Sequence, residues 1–517
     1  MDLERVFGRT KREVAQQREP AGQRWLRRAG YLHARANAIP IWLPLGAITL
    51  NRLRHLCVDI VADAQPLVLS TTLMSLSGRH DALRDFVASE IRSYRQLPQR
   101  LQWDEGPTRV VFVWLEATAE DLALSTALSW QDWQAVWKRL GVDAVEIAAV
   151  PTTDGTARAW ALSCPDGPDA WLACSYCGHA GEASALRPQV PPLTEEPAQP
   201  VEVVATPGCT TIQAVADFLG VPTSHMLKAV FYTTAEGQVI LAVIRGDLEV
   251  DVHKLERAVG WVLHPATPAE LEAVGIVAGY ASPVGLPSHQ GLTIIGDLSI
   301  QAPVNFVAGA NRPGFHLRHV RYPRDFQTDR LADLAQARPQ DPCSTCGNPL
   351  ELKAGLILAR LEIFSASAGG PIYLNPEGCP QPLHMAIAQL CLDRLLVAIA
   401  EVNHDDHGLI WPAILAPYDV HVVLLNTDQQ AVIEAADDVA RELEKNGWKL
   451  LWDRRDESAG VKFTDADLIG LPWRVTISAR SLKQGGVEVK ARAASTSVIV
   501  SIAHLISAFS TPERDSK

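Results

Sequence analysis

Apolar residues along this chain of 517 residues fall into short unbroken runs and helically spaced stripes. The runs at 110–115, 239–244, 292–295 and 420–425 are rich in valine, isoleucine and leucine, and a further one spans 473–478. Runs this short, bounded by polar or turn residues, predict buried strands. Helical spacing marks 210–219, opened by a threonine suited to an N-cap, and 429–445. The longest apolar stretch, 38–50, is interrupted by Pro40 and Pro44 and is too short to cross a bilayer. Strand and helix patterns interleave, so the expected class is α/β and α+β.

Two breaks interrupt the pattern. Residues 185–208 are polar and proline-rich, as a linker into an inserted domain would be, and a second break lies at 338–342. From about residue 406 strands and helices alternate in the manner of a compact parallel α/β module. No internal repeat is visible. The length suggests three or four domains, and 47% apolar residues are enough for each to bury a core. A formal charge of −12 argues against a protein that coats nucleic acid indifferently, so any polyanion site must be a local patch. The opening Met1-Asp2-Leu3-Glu4 lacks the basic-then-apolar order of a signal peptide, which gives the expectation of a cytoplasmic protein with neither membrane nor DNA as partner.

Among nine cysteines, Cys174 and Cys177 form one Cys-x-x-Cys-Gly turn and Cys343 and Cys346 another. Two such turns facing each other make a tetrahedral, structural zinc site that would join the two strands entering and leaving the inserted segment. A redox pair or unliganded thiols are the alternatives, and His179 is a possible substitute ligand.

Within the insert, Thr206-Pro207-Gly208, Leu227-Lys228, Arg245-Gly246-Asp247, Ser282-Pro283-Val284-Gly285, Gly309-Ala310-Asn311, His316 and Arg324-Asp325-Phe326 together resemble the editing insertion of bacterial prolyl-tRNA synthetases. The flanks carry the same resemblance. Leu26-Arg27-Arg28-Ala29-Gly30, Trp42 to Gly46 and Glu90 to Pro98 are similar to the opening of that family. His404 to Gly408, Trp411-Pro412, Asp453-Arg454-Arg455, Gly460 to Phe463, Asp465 to Gly470 and Gly486-Val487-Glu488 with Arg492 are similar to its anticodon-binding domain. The resemblance implies a class II synthetase-like antiparallel-sheet body in two parts (1–190 and 331–405), an inserted α/β, YbaK-like editing domain (200–330) and a C-terminal α/β anticodon-binding domain (406–517). It also implies tRNA(Pro) as partner and a homodimer paired through about 48–69, although Ser70 stands where the family's dimer motif has proline.

Roles in the insert follow from the same resemblance. Lys228 matches a central lysine that can hold the acceptor end of tRNA, and His316 the histidine that helps define an alanine pocket. Asp247 and Asp325 would be orienting carboxylates, and Thr206 would stand at the pocket rim. Gly279, Ser282, Pro283, Val284 and Gly285 would form a turn whose N–H groups face the ester, with Gly309 and Asn311 at a neighbouring corner. Each also has a plain structural reading: a strand-edge charge for Lys228, a satisfied buried ring for His316, turn chemistry for Asp247 and the Gly309–Asn311 corner, a local ion pair for Asp325. In the C-terminal module Arg454, Arg455, Lys462 and Arg492 are expected on tRNA, with an internal ion cluster as the alternative for Arg455.

The body has lost what adenylation needs. Holding ATP and magnesium calls for several cations at a strand pair and a glycine-rich strand-helix junction. Here Arg109 is the single cation of the strand region 103–116, no Arg-x-Glu remains, and the junction at 385–395 keeps Arg394 without its glycines. The segment that normally receives proline reads Gly78-Arg79-His80-Asp81. Three readings follow: an editing hydrolase for mischarged Ala-tRNA(Pro) with aminoacylation lost; a divergent but working ligase, which alone would use ATP and magnesium; and a non-catalytic tRNA-binding or regulatory paralogue.

Overall fold

A computed structural model of the protein describes residues 1–14, 18–34, 40–61, 63–67, 79–151, 155–273, 275–276, 279–286, 292–364 and 370–509. Ser70, Gly78 and the side chains of Arg79, His80 and Asp81 lie outside the described residues, as does the end of the proposed dimer segment. The chain divides into two compact units, one made of 1–146, 157–170 and 354–517, the other of 147–156 and 171–353. No described helix is long and apolar enough to cross a membrane.

After a short helix at Ala21–Arg28, the first unit has helix α1 (Pro44–Val58), which starts where proline can occupy a first turn that lacks N–H acceptors anyway, and α2 (Arg79–Glu90). Strands β1 (Gln99–Asp104) and β2 (Arg109–Glu116) form a hairpin around a four-residue turn, Glu105 to Thr108, in which Gly106 takes φ +71°. Helix α3 (Ala119–Arg139) follows, its first turn capped by Thr118 Oγ1 accepting from Asp121 N at 3.1 Å.

The second unit holds two sheets. Strand β3 (Glu202–Ala205) leads to helix α4 (Ile212–Leu219), capped by Thr211 rather than Thr210 and ended by Gly220 at φ +66°. Strands β4 (Leu227–Thr233) and β5 (Val239–Arg245) pair antiparallel, helix α5 (Val252–Val259) packs behind them, and β6 (Leu292–Asp297) joins β5 in parallel. Strands β7 (Phe306–Gly309) and β8 (Phe315–Val320) build the smaller antiparallel sheet in the order β3-β8-β7, and β9 (Arg330–Ala332) closes the larger one beside β6. The proline-rich approach is not loose. Gln189 N donates to Pro342 O (2.8 Å), Arg245 Nη1 to Pro191 O (2.8 Å) and Glu196 N to Pro303 O (3.0 Å), so proline stiffness is used to lay an extended strip along this unit.

Back in the first unit, β10 (Glu351–Ile363) and β11 (His384–Cys391) continue the body sheet in the order β1-β2-β11-β10, every pair antiparallel, and α6 (Leu392–Val402) runs on from β11. The C-terminal module contains β12 (Val420–Leu424), α7 (Gln430–Lys445), β13 (Leu450–Asp453), α8 (Ala459–Ile469), β14 (Trp473–Ile477) and β15 (Val487–Ala491). β12 lies parallel to both β13 and β14, but β15 is antiparallel to β14. The sequence pattern suggested a parallel module throughout. The nine residues between β14 and β15 are too few for a crossover that would bring the chain back in the same direction.

Candidate functional site

Strand register gathers the motif residues of the insert. Met226, just before β4, bridges in parallel to Val307 of β7, and Gly309 of β7 pairs with His316 of β8. That bridge is isolated and joins the edges of two separate sheets, with Lys228 two residues beyond it on β4 and Gly309, opposite His316, two residues beyond it on β7. Alternation puts all three on the side of Met226 and Val307 of the α4 core, while Leu227, Phe306 and Ala308 point into the opposite core.

Thr206 Oγ1 lies 2.6 Å from His316 Nδ1, and both side chains are buried. Burial lowers the His316 pKa, which keeps the ring neutral near pH 7. No partner for Nε2 is found among the described residues, so that nitrogen remains available. The Tyr280 ring stands 5.7 Å from the imidazole. Gly309 has no room for a side chain, because a Cβ there would lie 2.1 Å from Tyr280 O. The 279–285 loop thus lies directly over Gly309, beside His316.

Asn311 fixes that loop. It adopts φ +54°, its N–H donates to Tyr280 O (2.9 Å), its Oδ1 accepts from Ser282 N (2.9 Å), and its Nδ2 donates to Val284 O (2.7 Å). Ser282 Oγ accepts from Val284 N at 3.3 Å. Since Pro283 has no N–H, Gly285 (φ +72°) is the turn residue past Ser282 whose N–H lacks a partner among the described residues, and Gly279 (φ +81°) supplies the opposite bend. Asn311 was expected at a corner near substrate; its side chain is committed to the loop.

The carboxylates divide differently. Asp247 accepts from Arg245 Nε and Nη2 at 2.6 and 2.7 Å, and Asp325 accepts from Arg324 Nε and Nη2 at 2.9 and 2.8 Å and from Arg321 N at 2.7 Å. Both side chains are engaged in local structure. Lys228 instead meets Glu249, which the motif reading passed over. Glu249 and Tyr280 each sit one or two residues beyond a motif position, and that adjacency was the available sequence signal.

The four cysteines converge in the same unit, with their sulfurs all within 4.8 Å of one another. The two turns repeat each other: Cys174 N donates to His179 O and Cys343 N to Asn348 O, while Gly178 and Gly347 both take φ +76° and return an N–H to Cys174 O and Cys343 O. Thr345 N donates to Cys343 Sγ (3.4 Å) and Asn348 Nδ2 to Cys346 Sγ (3.5 Å), bonds that favour thiolate. Sulfurs 2.3 Å from a tetrahedral zinc would be about 3.8 Å apart, and the 174–346 and 177–343 pairs measure 3.4 and 3.7 Å. The donor set fits zinc. His179 Nε2 is 3.5 Å from Ser344 Oγ.

In the first unit the strands expected to hold a nucleotide, β2 and β11, are neighbours; the middle of β2 is apolar on both faces, while Gln389 of β11 and Arg360 and Glu362 of β10 lie on the face of Val111 and Val113. Val111, Val113 and Leu115 pack with Leu83, Val87, Met385 and Ile387, while Phe112 and Trp114 pack with Trp130, Trp133 and Leu395. Arg109 Nη1 is 3.5 Å from Glu105 Oε2, and the Arg394 guanidinium is held by Asp169. A triphosphate needs charged donors facing it, and the middle of β2 supplies none among the described residues. In the C-terminal module Lys462 is buried and donates to Leu424 O (2.6 Å), Arg455 binds Asp453 and Asp465, and Arg492 grips Asp405 at 2.7 and 2.8 Å. Arg454 remains at the surface, its side chain 48% exposed.

A family model described as an aminoacyl-tRNA editing domain matches residues 206–322, and one described as an anticodon binding domain matches 419–511. A proline–tRNA ligase of Dehalococcoides mccartyi is 34% identical, with 95% of each chain covered. One of Salinispora tropica is also 34% identical, covering 95% of this chain and 93% of its own. The prolyl-tRNA synthetase of Cryptosporidium parvum, solved with L-proline and AMP, shares the fold at a TM-score of 0.50 and 10% identity, over 94% of this chain and 76% of its own.

Proposed function

The chain belongs to the proline–tRNA ligase family and carries that family's editing domain, and from this premise we propose that it removes alanine from mischarged Ala-tRNA(Pro) and no longer charges tRNA itself. The observation that carries the reading is the contrast between its two candidate sites. The insert brings a buried histidine, a lysine and a clamped loop to adjoining sheet edges, whereas the middle of β2 is covered by apolar side chains on both faces.

In this reading the acceptor end of tRNA lies along the line from Lys228 to His316. Lys228 contributes a cation for the terminal phosphate or ribose. Water adds to the ester carbonyl carbon, and the developing oxyanion is met by the Gly285 N–H. The bond to the ribose oxygen then breaks, that oxygen takes the proton lost by the water, and alanine and uncharged tRNA leave. His316, neutral and backed by Thr206, orients the water or ester through Nε2, and its ring with Tyr280 bounds a pocket too small for proline. A second, tighter sieve is needed because missing methylenes cost a proline-sized site only about 1–3 kcal/mol of discrimination. Cys174, Cys177, Cys343 and Cys346 would hold a zinc ion whose contribution is structural. Of the four cations expected on tRNA, Arg454 is the most exposed.

The alternative, a working ligase using ATP and magnesium, is supported by the names of the relatives. Deacylation of alanyl-tRNA(Pro) by the purified full chain, with Lys228→Ala as control, tests the proposal. Release of alanine by the wild type and its loss in the variant are expected; equal rates in both would refute the site.

A further inference from the structure

Lys228 is not alone at the head of its line, and its partner has a free hand. Glu249 Oε2 meets Lys228 Nζ, whereas Oε1 accepts no hydrogen bond among the described residues. The pair is open to solvent, with side chains 23% and 50% exposed for Lys228 and Glu249. The Glu249 backbone is nonetheless anchored. Gln336 N donates to its carbonyl at 2.9 Å, and Val250 bridges to Ala335. The nearby carboxylates are committed elsewhere: Asp247 to Arg245, Asp325 to Arg324 and Arg321 N, Asp251 to Ser184 and Lys254 N.

An aminoacyl ester carries an α-ammonium group beside an anionic ribose-phosphate end. Lys228 suits the anion but would repel the ammonium. An adjacent carboxylate with one unused oxygen removes that repulsion and offers the ammonium an acceptor. Resting on the editing reading above, we propose that Glu249 is the specificity residue that recognises the free α-ammonium group of the substrate. The paired ions then read the two charges of the ester together, and esters lacking the amine are handled poorly.

The test compares the full-length wild type, Glu249→Gln and Glu249→Asp on alanyl-tRNA(Pro) and on lactyl-tRNA(Pro), in which nitrous deamination has replaced the ammonium by a hydroxyl of similar size. The wild type should favour the alanyl ester. Glu249→Gln should lower kcat/KM on it by about tenfold or more, the worth of a charge-assisted hydrogen bond, while leaving the lactyl ester nearly unchanged. Glu249→Asp should recover part of the preference. An unchanged alanyl-to-lactyl ratio in Glu249→Gln, whether both rates hold or both fall together, overturns this role and leaves the editing reading standing. A wild type that hydrolyses neither ester overturns both.

Discussion

Thr206 Oγ1 and His316 Nδ1 lie 2.6 Å apart although 110 positions separate them in sequence. The contact exists because β3 and β8 pair with Val204 opposite His316, which brings the residue after β3 back over the imidazole. It fixes the ring and leaves Nε2 without a partner among the described residues.

Removing that anchor should harm function more than folding. Thr206→Val should lower kcat/KM for alanyl-tRNA deacylation about tenfold, and Thr206→Ser should retain most activity, because the hydroxyl rather than the methyl group holds the ring. Single-turnover deacylation at pH 7 measures both.

Asn311 offers a separable test of the loop. Asn311→Gly keeps the left-handed backbone but deletes the bonds to Ser282 N and Val284 O, so unfolding of the insert should cost about 1–3 kcal/mol less. Asn311→Ala adds backbone strain of about 1 kcal/mol. Urea denaturation of both variants should give that order, with deacylation impaired in each.

The cysteine cluster should contain one zinc per chain by elemental analysis. Cys343→Ser should abolish stoichiometric zinc and lower the thermal midpoint of the unit carrying the cluster, as should prolonged chelation. Restoring zinc to the chelated wild type, but not to the variant, should return the midpoint.

His421 predicts a pH dependence of a different kind. It is fully buried on β12, neither ring nitrogen has a hydrogen-bond partner, and burial draws its pKa down to about 4. Asp453 beside it and Asp465 on α8 oppose that shift, while Arg455 and Arg474 reinforce it; Lys462 lies on the same helix as Asp465. The folded pKa is below the unfolded value near 6.5, so the unfolded state binds the proton more readily. Stability is therefore full above about pH 6.5 and falls toward pH 4, by at most about 1.4 kcal/mol per pH unit. His421→Leu should flatten the slope between pH 6.5 and 5 and match or exceed wild-type stability at pH 7. Denaturant melts at several pH values decide it.

Much of the fold was readable because apolar runs such as 110–115 and 239–244 become strands whichever neighbour they find. The facing of the two Cys-x-x-Cys turns was legible too, since their identical spacing builds identical loops. Side-chain commitment was not. Arg492 and Lys462 look like surface cations in sequence, but Asp405 and the Leu424 carbonyl, 87 and 38 positions away, draw them inside. Beyond its nearness to Asp247, Glu249 gave no sign of its role for the complementary reason: its partner is Lys228, 21 positions away across a strand and a turn. The apolar run 110–115 announced a strand, but only the packing shows Val111, Val113 and Leu115 turned toward Leu83, Val87, Met385 and Ile387.

Whether this body still activates proline is measured most directly by proline-dependent exchange of pyrophosphate into ATP. Purified protein that hydrolyses alanyl-tRNA(Pro) should show no exchange above a no-proline control. Robust proline-dependent exchange from the same preparation would contradict the account and identify a working ligase.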